Sequence, residues 1–212
     1  HSFPTRRSSE LLAEHIYMGL VLHYLFIDSQ EQLWIGLNSG LYCCLLGETP
    51  QLIDSDCHVT YITELPQSMA IGTTCDLRIY SKDRNLLQKL CPDTYVQSLL
   101  PLPNKEILLI GTFNCGVKSI SLSSWQEQPV KNGSLPHTPI RSMIEMTPST
   151  VLLGFDGDGV YTYNLSSGEA EPLFTRTNRM LTAMGVYSLC RDCEDADRKS
   201  TRLTSSHQII SY

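Results

Sequence analysis

The 212-residue sequence has few charged residues and no strong excess of one sign. Charged residues make up 18% of the chain, the net charge is −6, and no block of like charges occurs. Nucleic-acid binding requires clustered lysine and arginine side chains that neutralise phosphates. We therefore expect no nucleic-acid contact by this segment.

Long hydrophobic runs are also missing. The longest, MGLVLHYLFI (residues 18–27), contains a histidine and is much shorter than the about 20 residues of a membrane-spanning helix. No stretch has the charged, apolar and small-residue order of a signal peptide. The sequence thus predicts neither a membrane span nor an export signal of its own.

The usual signatures of catalytic sites and metal sites are absent as well. There is no Gly-x-Ser-x-Gly elbow, no phosphate-binding glycine loop and no His-Glu-x-x-His motif. The eight cysteines are irregularly spaced, and CRDC (residues 190–193) lacks the second cysteine pair of a zinc site. We interpret most of these cysteines as small buried hydrophobic residues.

One acidic segment, FDGDG (residues 155–159), begins like a calcium loop. No glutamate follows until Glu169, although such loops end on a bidentate glutamate. We interpret the segment as a hairpin turn rich in Asp and Gly. The sequence predicts no catalytic residue, no metal site and no cofactor, and it identifies no ligand-binding residue.

The two ends differ from the middle of the chain. HSFPTRRSSE at the start and RKSTRLTSSHQIISY at the end are rich in Ser, Arg and Thr and lack regularly spaced apolar runs. Both resemble translated sequencing-adapter read-through. This resemblance implies that residues 1–12 and 197–212 are adapter-derived and lie outside the fold.

Between these ends the sequence contains a repeat anchored on glycine. An apolar run ends in the glycine, a short polar turn follows, and a second apolar run begins. The four copies are LWIGLNSGLY (residues 33–42), MAIGTTCDLRIY (69–80), LLIGTFNCGVKSI (108–120) and VLLGFDGDGVYTY (151–163). Another apolar run precedes each copy, and VYSLCRD (186–192) matches the first run of a fifth copy.

Each repeat unit consists of one copy, the apolar run before it and a weaker apolar run after it. The unit predicts four short β-strands, because its runs are four to seven residues long and bounded by turn formers. Several runs are apolar on both faces, which indicates a sheet covered on both sides. We predict an all-β fold, a β-propeller fragment over residues 13–196 with about four four-stranded antiparallel blades plus part of a fifth. The predicted units lie near residues 20–56, 57–93, 94–137, 138–184 and 185–196. A β-sandwich is the alternative, but it needs no repeating glycine frame.

The repeated glycines predict two backbone requirements. The first glycine of each copy either adopts positive φ in a turn or lets the next blade approach closely. The second glycine opens the third strand at Gly40, Gly116 and Gly159. Asp76 stands at this position in the second copy, and we expect it to adopt the left-handed conformation.

IDSQEQLWIGLNSGLY (residues 27–42) resembles the two-component regulator propeller repeat. The matching residues are Asp28, Leu33, Trp34, Ile35, Gly36, Gly40 and Leu41. The chain departs from the pattern at Gln32, which replaces the turn glycine. It also departs at Ala70, Leu109 and Leu152, which replace the tryptophan. The resemblance covers about residues 17 to 193.

That family implies a function. Its propellers form the periplasmic sensor region of inner-membrane hybrid two-component systems that contain a histidine kinase. The resemblance implies a ligand-sensing segment without catalysis, an oligosaccharide ligand, contacts with neighbouring blades or a second propeller, and a homodimeric parent protein. The alternatives are a propeller scaffold for protein–protein interaction and part of a propeller-fold polysaccharide lyase or glycosidase.

We interpret the aromatic and acidic side chains of the repeats as structural and not as ligand-binding or catalytic groups. The aromatic residues could stack on a sugar, but their repeat positions favour packing within the blades; they are Trp34, Tyr42, Tyr61, Tyr80, Tyr161 and Tyr163. Asp28, Glu64 and Asp192 stand at corresponding strand ends, and we interpret them as solvated turn residues.

Overall fold

The structure is a computed structural model that describes residues 21–132, 135–174 and 185–190. Its strands form four sheets, and each strand pairs only with strands adjacent in the sequence, so every sheet is an antiparallel meander. The chain divides into two compact units, residues 1–93 and 94–212, which are described separately. The predicted adapter-derived ends lie outside the described residues, as does half of the predicted fifth unit, residues 191–196.

The first unit contains two blades. Blade 1 consists of β1 (Leu22–Ile27), β2 (Gln32–Leu37), β3 (Gly40–Leu45) and β4 (Gln51–Asp54). Blade 2 consists of β5 (Val59–Glu64), β6 (Ser68–Thr73), β7 (Leu77–Ser81) and β8 (Leu86–Leu90).

The second unit contains two further blades. Blade 3 consists of β9 (Val96–Leu102), a 3-10 turn (Pro103–Lys105), β10 (Ile107–Thr112), β11 (Val117–Ser121) and β12 (Glu127–Gln128). Blade 4 consists of β13 (Ile140–Thr147), β14 (Thr150–Phe155), β15 (Gly159–Asn164) and β16 (Ala170–Phe174). Beyond blade 4, Gly185 forms a single β-bridge with Asp156.

Within each unit the blades stack through their first two strands. Strand β5 packs against β1 and β2, and β13 packs against β9 and β10. The second strand of blade 2 is buried throughout, whereas its fourth strand is almost entirely exposed. The β-propeller fragment predicted from the repeat is therefore confirmed, and no helix long and apolar enough to span a membrane occurs in the described segments.

Both units bury their core between stacked sheets. The core of the first unit includes Trp34 and Leu41 from blade 1 and Ile62, Met69 and Tyr80 from blade 2, all at most 1% exposed. Burying one large apolar side chain contributes about 1.5–3 kcal/mol. Each blade therefore depends on its neighbour for most of its stability, as expected for repeat architectures.

The first glycine of the repeat allows close approach between blades. A Cβ atom on Gly36 would lie 2.4 Å from Cγ1 of Val59 in the next blade, and one on Gly154 would lie 2.7 Å from Cγ1 of Val186. Both glycines lack positive φ and lie inside or at the end of strand runs. Of the two predicted roles, close approach is confirmed and positive φ is wrong.

The second glycine does adopt positive φ. The φ angles are 145° at Gly40, 69° at Gly116 and 84° at Gly159, which confirms the predicted entry to the third strand. The expectation for Asp76 is wrong, since this residue has no positive φ. Instead, Oγ1 of Thr73 accepts a hydrogen bond from the Asp76 backbone N–H at 2.9 Å, so a side chain satisfies this turn.

Candidate ligand-binding rim

A β-bulge interrupts the first strand of every blade at the same place. The pairing register skips one residue between Leu22 and Tyr24, Val59 and Tyr61, Val96 and Ser98, and Ile140 and Ser142. The skipped residues, called here the bulge residues, are His23, Thr60, Gln97 and Arg141. All four are polar. Because bulges redirect side chains and are frequent beside functional sites, this end of the blades is the candidate site.

The two bulge residues of the second unit bind each other. Arg141 Nη1 donates a hydrogen bond to Gln97 Oε1 at 2.7 Å, which joins blades 3 and 4. Arg141 Nε and Nη2 both donate to Asp156 Oδ2, at 3.1 Å and 2.8 Å. The Tyr187 ring covers the guanidinium, with its centroid 5.7 Å from Cζ. We call Gln97, Arg141, Asp156 and Tyr187 the arginine cluster.

A partly exposed aromatic pair lies at the same end of blade 3. The rings of Tyr95 and Phe113 stack almost in parallel, with centroids 5.0 Å apart and an interplanar angle of 12°. Phe113 is 42% exposed. Tyr95 immediately precedes β9 and Phe113 immediately follows β10, so both flank the bulge at Gln97. Sequence reasoning missed this pair because neither ring lies within an apolar strand run.

The acidic hairpin of blade 4 belongs to this rim. Asp156 binds Arg141, and Asp158 Oδ2 accepts a hydrogen bond from Thr138 Oγ1 at 2.5 Å. Gly157 and Gly159 adopt positive φ, which makes the segment a tight turn. In the part of the chain that the structure describes, no group of three or more His, Cys, Asp or Glu side chains could hold a metal ion.

The first unit places two histidines together at the corresponding end. Nε2 of His23 lies 2.8 Å from Nε2 of His58, so one imidazole donates a hydrogen bond to the other. Burial lowers the pKa of His23 below its ordinary value, and the neighbouring His58 lowers it further. The sequence does not reveal this pair, because 35 residues separate the two histidines and no motif links them.

We expect acidification from pH 7.5 to pH 5 to destabilise the chain partly through this pair. A lowered pKa means that the folded state binds fewer protons than the unfolded state, so stability present above pH 6.5 is lost as the pH falls through the lowered pKa. The Tm of His23→Gln should fall less over this range than the Tm of the wild-type chain. His137→Gln, at an exposed histidine, is the control, and an unchanged pH dependence in His23→Gln would contradict the prediction.

A separate buried ion network joins blades 1 and 2. Arg78 is 2% exposed and donates to Asp54 Oδ2 at 2.7 Å and to Asp76 Oδ1 at 3.0 Å. The Tyr80 hydroxyl also donates to Asp54, at 2.5 Å. Burial would raise the pKa of Asp54, but the hydrogen bonds from Tyr80 and Arg78 outweigh it and hold this pKa below its ordinary value. The charged groups of the network bind one another, and we interpret it as structural.

The acidic strand-end residues have fixed partners. Asp28 is 5% exposed and accepts a hydrogen bond from Trp34 Nε1 at 2.8 Å, so its interpretation as a solvated residue is wrong. Glu64 accepts hydrogen bonds from the Ser29 backbone and side chain, and Lys82 also donates to it. Asp192 lies outside the described residues.

The interpretation of the repeat aromatics as packing residues holds for three of them. Trp34, Tyr80 and Tyr163 are at most 2% exposed. Tyr42, Tyr61 and Tyr161 are half-buried. Among the described cysteines, Cys43, Cys44, Cys57 and Cys91 are buried, whereas Cys75, Cys115 and Cys190 are exposed.

Fold and rim together define a β-propeller fragment with a polar and aromatic end. Among solved structures, the extracellular domain of the proposed hybrid two-component system BT4673 from B. thetaiotaomicron matches 82% of this chain with a TM-score of 0.69 and 18% identity. The corresponding domain of BT3049 from the same organism matches 72% of the chain with a TM-score of 0.58 and 14% identity. The computationally designed protein Ika8 matches 81% of the chain and 52% of its own length, with a TM-score of 0.60 and 12% identity.

These similarities show the fold. The chain spans about a quarter of the two extracellular domains, 25% of BT4673 and 24% of BT3049. No protein-family model matches the sequence, and no curated protein matches it either.

Proposed function

We propose that this chain is a ligand-sensing propeller segment of a hybrid two-component sensor histidine kinase. It binds an oligosaccharide in the periplasm and catalyses no reaction. The observation that carries the proposal is the similarity in fold to two extracellular domains of proposed hybrid two-component systems, over 82% and 72% of the chain. The repeat motif around Gly36 supports the same class independently of the fold.

The exposed side of blade 1 supports contact with a further blade of the parent protein. Leu22 and Leu25 in β1 correspond by register to Val59 and Ile62 in β5, since Leu25 pairs with Ile35 as Ile62 pairs with Ile71. Val59 and Ile62 contact Gly36 of the preceding blade and are buried. Leu22 and Leu25 are 47% and 53% exposed. Another blade or the second propeller of a homodimeric parent covers this surface.

The carboxylates of the rim support binding over catalysis. Glycoside hydrolysis uses two carboxyl groups on opposite sides of the scissile bond. Here Asp156 is paired with Arg141, and Asp158 is bound to Thr138. Both carboxyl groups of the hairpin therefore already have hydrogen-bond partners within the protein, an arrangement suited to binding hydroxyl groups.

The test is a binding and turnover assay with the full 212-residue chain. A panel of neutral and acidic oligosaccharides is titrated by isothermal titration calorimetry, and each mixture is then analysed by anion-exchange chromatography. We expect at least one oligosaccharide to bind and to be recovered intact. Cleavage would identify a lyase or glycosidase instead, and a panel without any binder would contradict oligosaccharide sensing and favour a protein-binding scaffold.

The two-component assignment has its own test in the genomic DNA. We expect the uninterrupted gene to encode further propeller blades, a membrane span and a histidine kinase after this segment. An uninterrupted gene that lacks a kinase and a receiver domain would contradict the assignment, whatever the chain binds.

A further inference from the structure

We propose that the arginine cluster and the Tyr95–Phe113 pair form a binding site for a neutral pyranose unit. This inference rests on the proposed function and adds the location of the site and the class of sugar. The sequence repeat does not show that these groups come together, because the polar groups belong to two bulges and a hairpin that meet only in the folded second unit.

The arginine cluster presents donors and acceptors side by side. Arg141 has five N–H groups, and three of its hydrogen bonds go to Gln97 and Asp156. Both bonds to Asp156 end on Oδ2, so Oδ1 takes no part in them. The Gln97 side-chain oxygen accepts from Arg141 and fixes the guanidinium in place. Adjacent sugar hydroxyls both donate and accept, which this mixture of groups satisfies.

The cluster is held rigid before any ligand arrives. Gln97 is only 7% exposed, and the side chains of Arg141 and Asp156 are about a third exposed, at 32% and 29%. The ring of Tyr187 covers the guanidinium and restricts its rotation. Polar groups that are fixed by packing and by one another bind a ligand with a smaller entropy cost.

Local charge favours a neutral sugar over an acidic one. The positive charge of Arg141 is balanced by Asp156, and the same hairpin carries the second carboxylate of Asp158. The whole chain has a net charge of −6. A uronate or sulfate group would be repelled by this excess of negative charge, because the cation of the cluster, Arg141, is already paired with Asp156. Hydroxyl groups are uncharged and meet no such repulsion.

The aromatic pair supplies the apolar part of the site. The C–H face of a pyranose packs well on an aromatic ring, and Phe113 exposes 42% of its surface at the rim. The Tyr95 ring supports the Phe113 ring through the nearly parallel stack between them. Tyr95 is two residues from Gln97 in the chain, which places the apolar and the polar groups at the same end of blade 3.

The experiment measures binding of neutral disaccharides to the full chain and its variants. The probes are cellobiose, β-1,4-mannobiose and β-1,4-xylobiose, with a glucuronic-acid-containing disaccharide as the acidic comparison, and binding is followed by saturation-transfer NMR and calorimetry. We expect a neutral probe to bind and the acidic one to bind at least tenfold more weakly. Arg141→Met and Phe113→Ala should each weaken the neutral probe at least tenfold.

Arg84→Met is the matched control. Arg84 Nε donates to Gln32 Oε1 at 2.7 Å in blades 1 and 2, so the variant removes a comparable Arg–Gln bond away from this site. Arg84→Met should keep wild-type affinity, and Phe113→Ala should lower the Tm only slightly because the ring is 42% exposed. Unchanged affinity in both Arg141→Met and Phe113→Ala, or tighter binding of the acidic probe, would overturn the site while leaving oligosaccharide sensing intact. If no oligosaccharide binds the wild-type chain, the proposed function itself fails.

Discussion

Replacing Arg78 with methionine is expected to destabilise the first unit by about 3–5 kcal/mol, the usual cost of removing one partner of a buried ion network. Methionine preserves much of the apolar stem, so the loss reports mainly on the charge. The variant would leave Asp54 and Asp76 without their guanidinium partner, although their side chains are only 15% and 14% exposed. Urea denaturation followed by near-UV circular dichroism measures the change in the free energy of unfolding.

A charge-neutralised variant controls this prediction. Arg78→Met combined with Asp54→Asn and Asp76→Asn should recover part of the lost stability, since it removes the uncompensated charges along with the arginine. A loss below about 1 kcal/mol for Arg78→Met alone, as for an exposed ion pair, would show that the network is not structural.

The same network makes a prediction about acid. The pKa of Asp54 is lowered in the folded state, so its contribution is present above the ordinary value of 3.8 and is lost as the pH falls through the lowered pKa. Arg78→Met removes one cause of this lowering. The variant should therefore lose less of its remaining stability than the wild-type chain does when the pH falls from 5 to 3.

The second large effect is expected at Gly36. In Gly36→Ala the new methyl group would lie 2.4 Å from Val59 Cγ1 and 2.9 Å from Val59 Cβ. Val59 is fully buried and stands at the start of β5, so it has little room to move. We expect a loss of about 1–3 kcal/mol, typical of overpacking a dense core, measured by urea denaturation.

A double-mutant cycle tests the physical cause. Val59→Ala removes Cγ1, the atom that would lie closest to the new alanine side chain, so it should relieve most of the clash and leave only the contact to Cβ. Gly36→Ala combined with Val59→Ala should then be more stable than the sum of the two single losses predicts, by about 0.5–3 kcal/mol for residues in contact. Strictly additive losses would show that glycine is required at position 36 by the backbone of β2 and not by the close contact with Val59 of blade 2.

The repeat could be predicted because its signal is local. Apolar runs bounded by turn formers predicted the strands, and the regularly spaced repeat glycines predicted the number of blades. Gly40 and Gly159 were assigned correctly because a hairpin entry restricts φ at a single residue. Asp76 was assigned wrongly because Thr73, three residues earlier, satisfies that turn by another route.

The candidate site could not be predicted in the same way. Gln97 and Arg141 lie 44 residues apart, and His23 and His58 lie 35 apart. A polar residue at the start of an apolar run looks like an ordinary strand boundary. Only the strand pairing in the structure shows that these positions share a bulge. Asp28 illustrates the same limit, since only the structure shows that it is buried and accepts a hydrogen bond from Trp34 Nε1.

The sequence by itself determined that short strands recur in fours and that small residues stand where the blades come closest, because residue type and spacing control pleating and turns within a few residues. Only the tertiary structure decided which polar side chains meet, since that depends on how one sheet stacks on the next and on where each first strand bulges. For this reason the fold class could be predicted from the sequence. The arginine cluster could not, because it forms only where blades 3 and 4 are in contact.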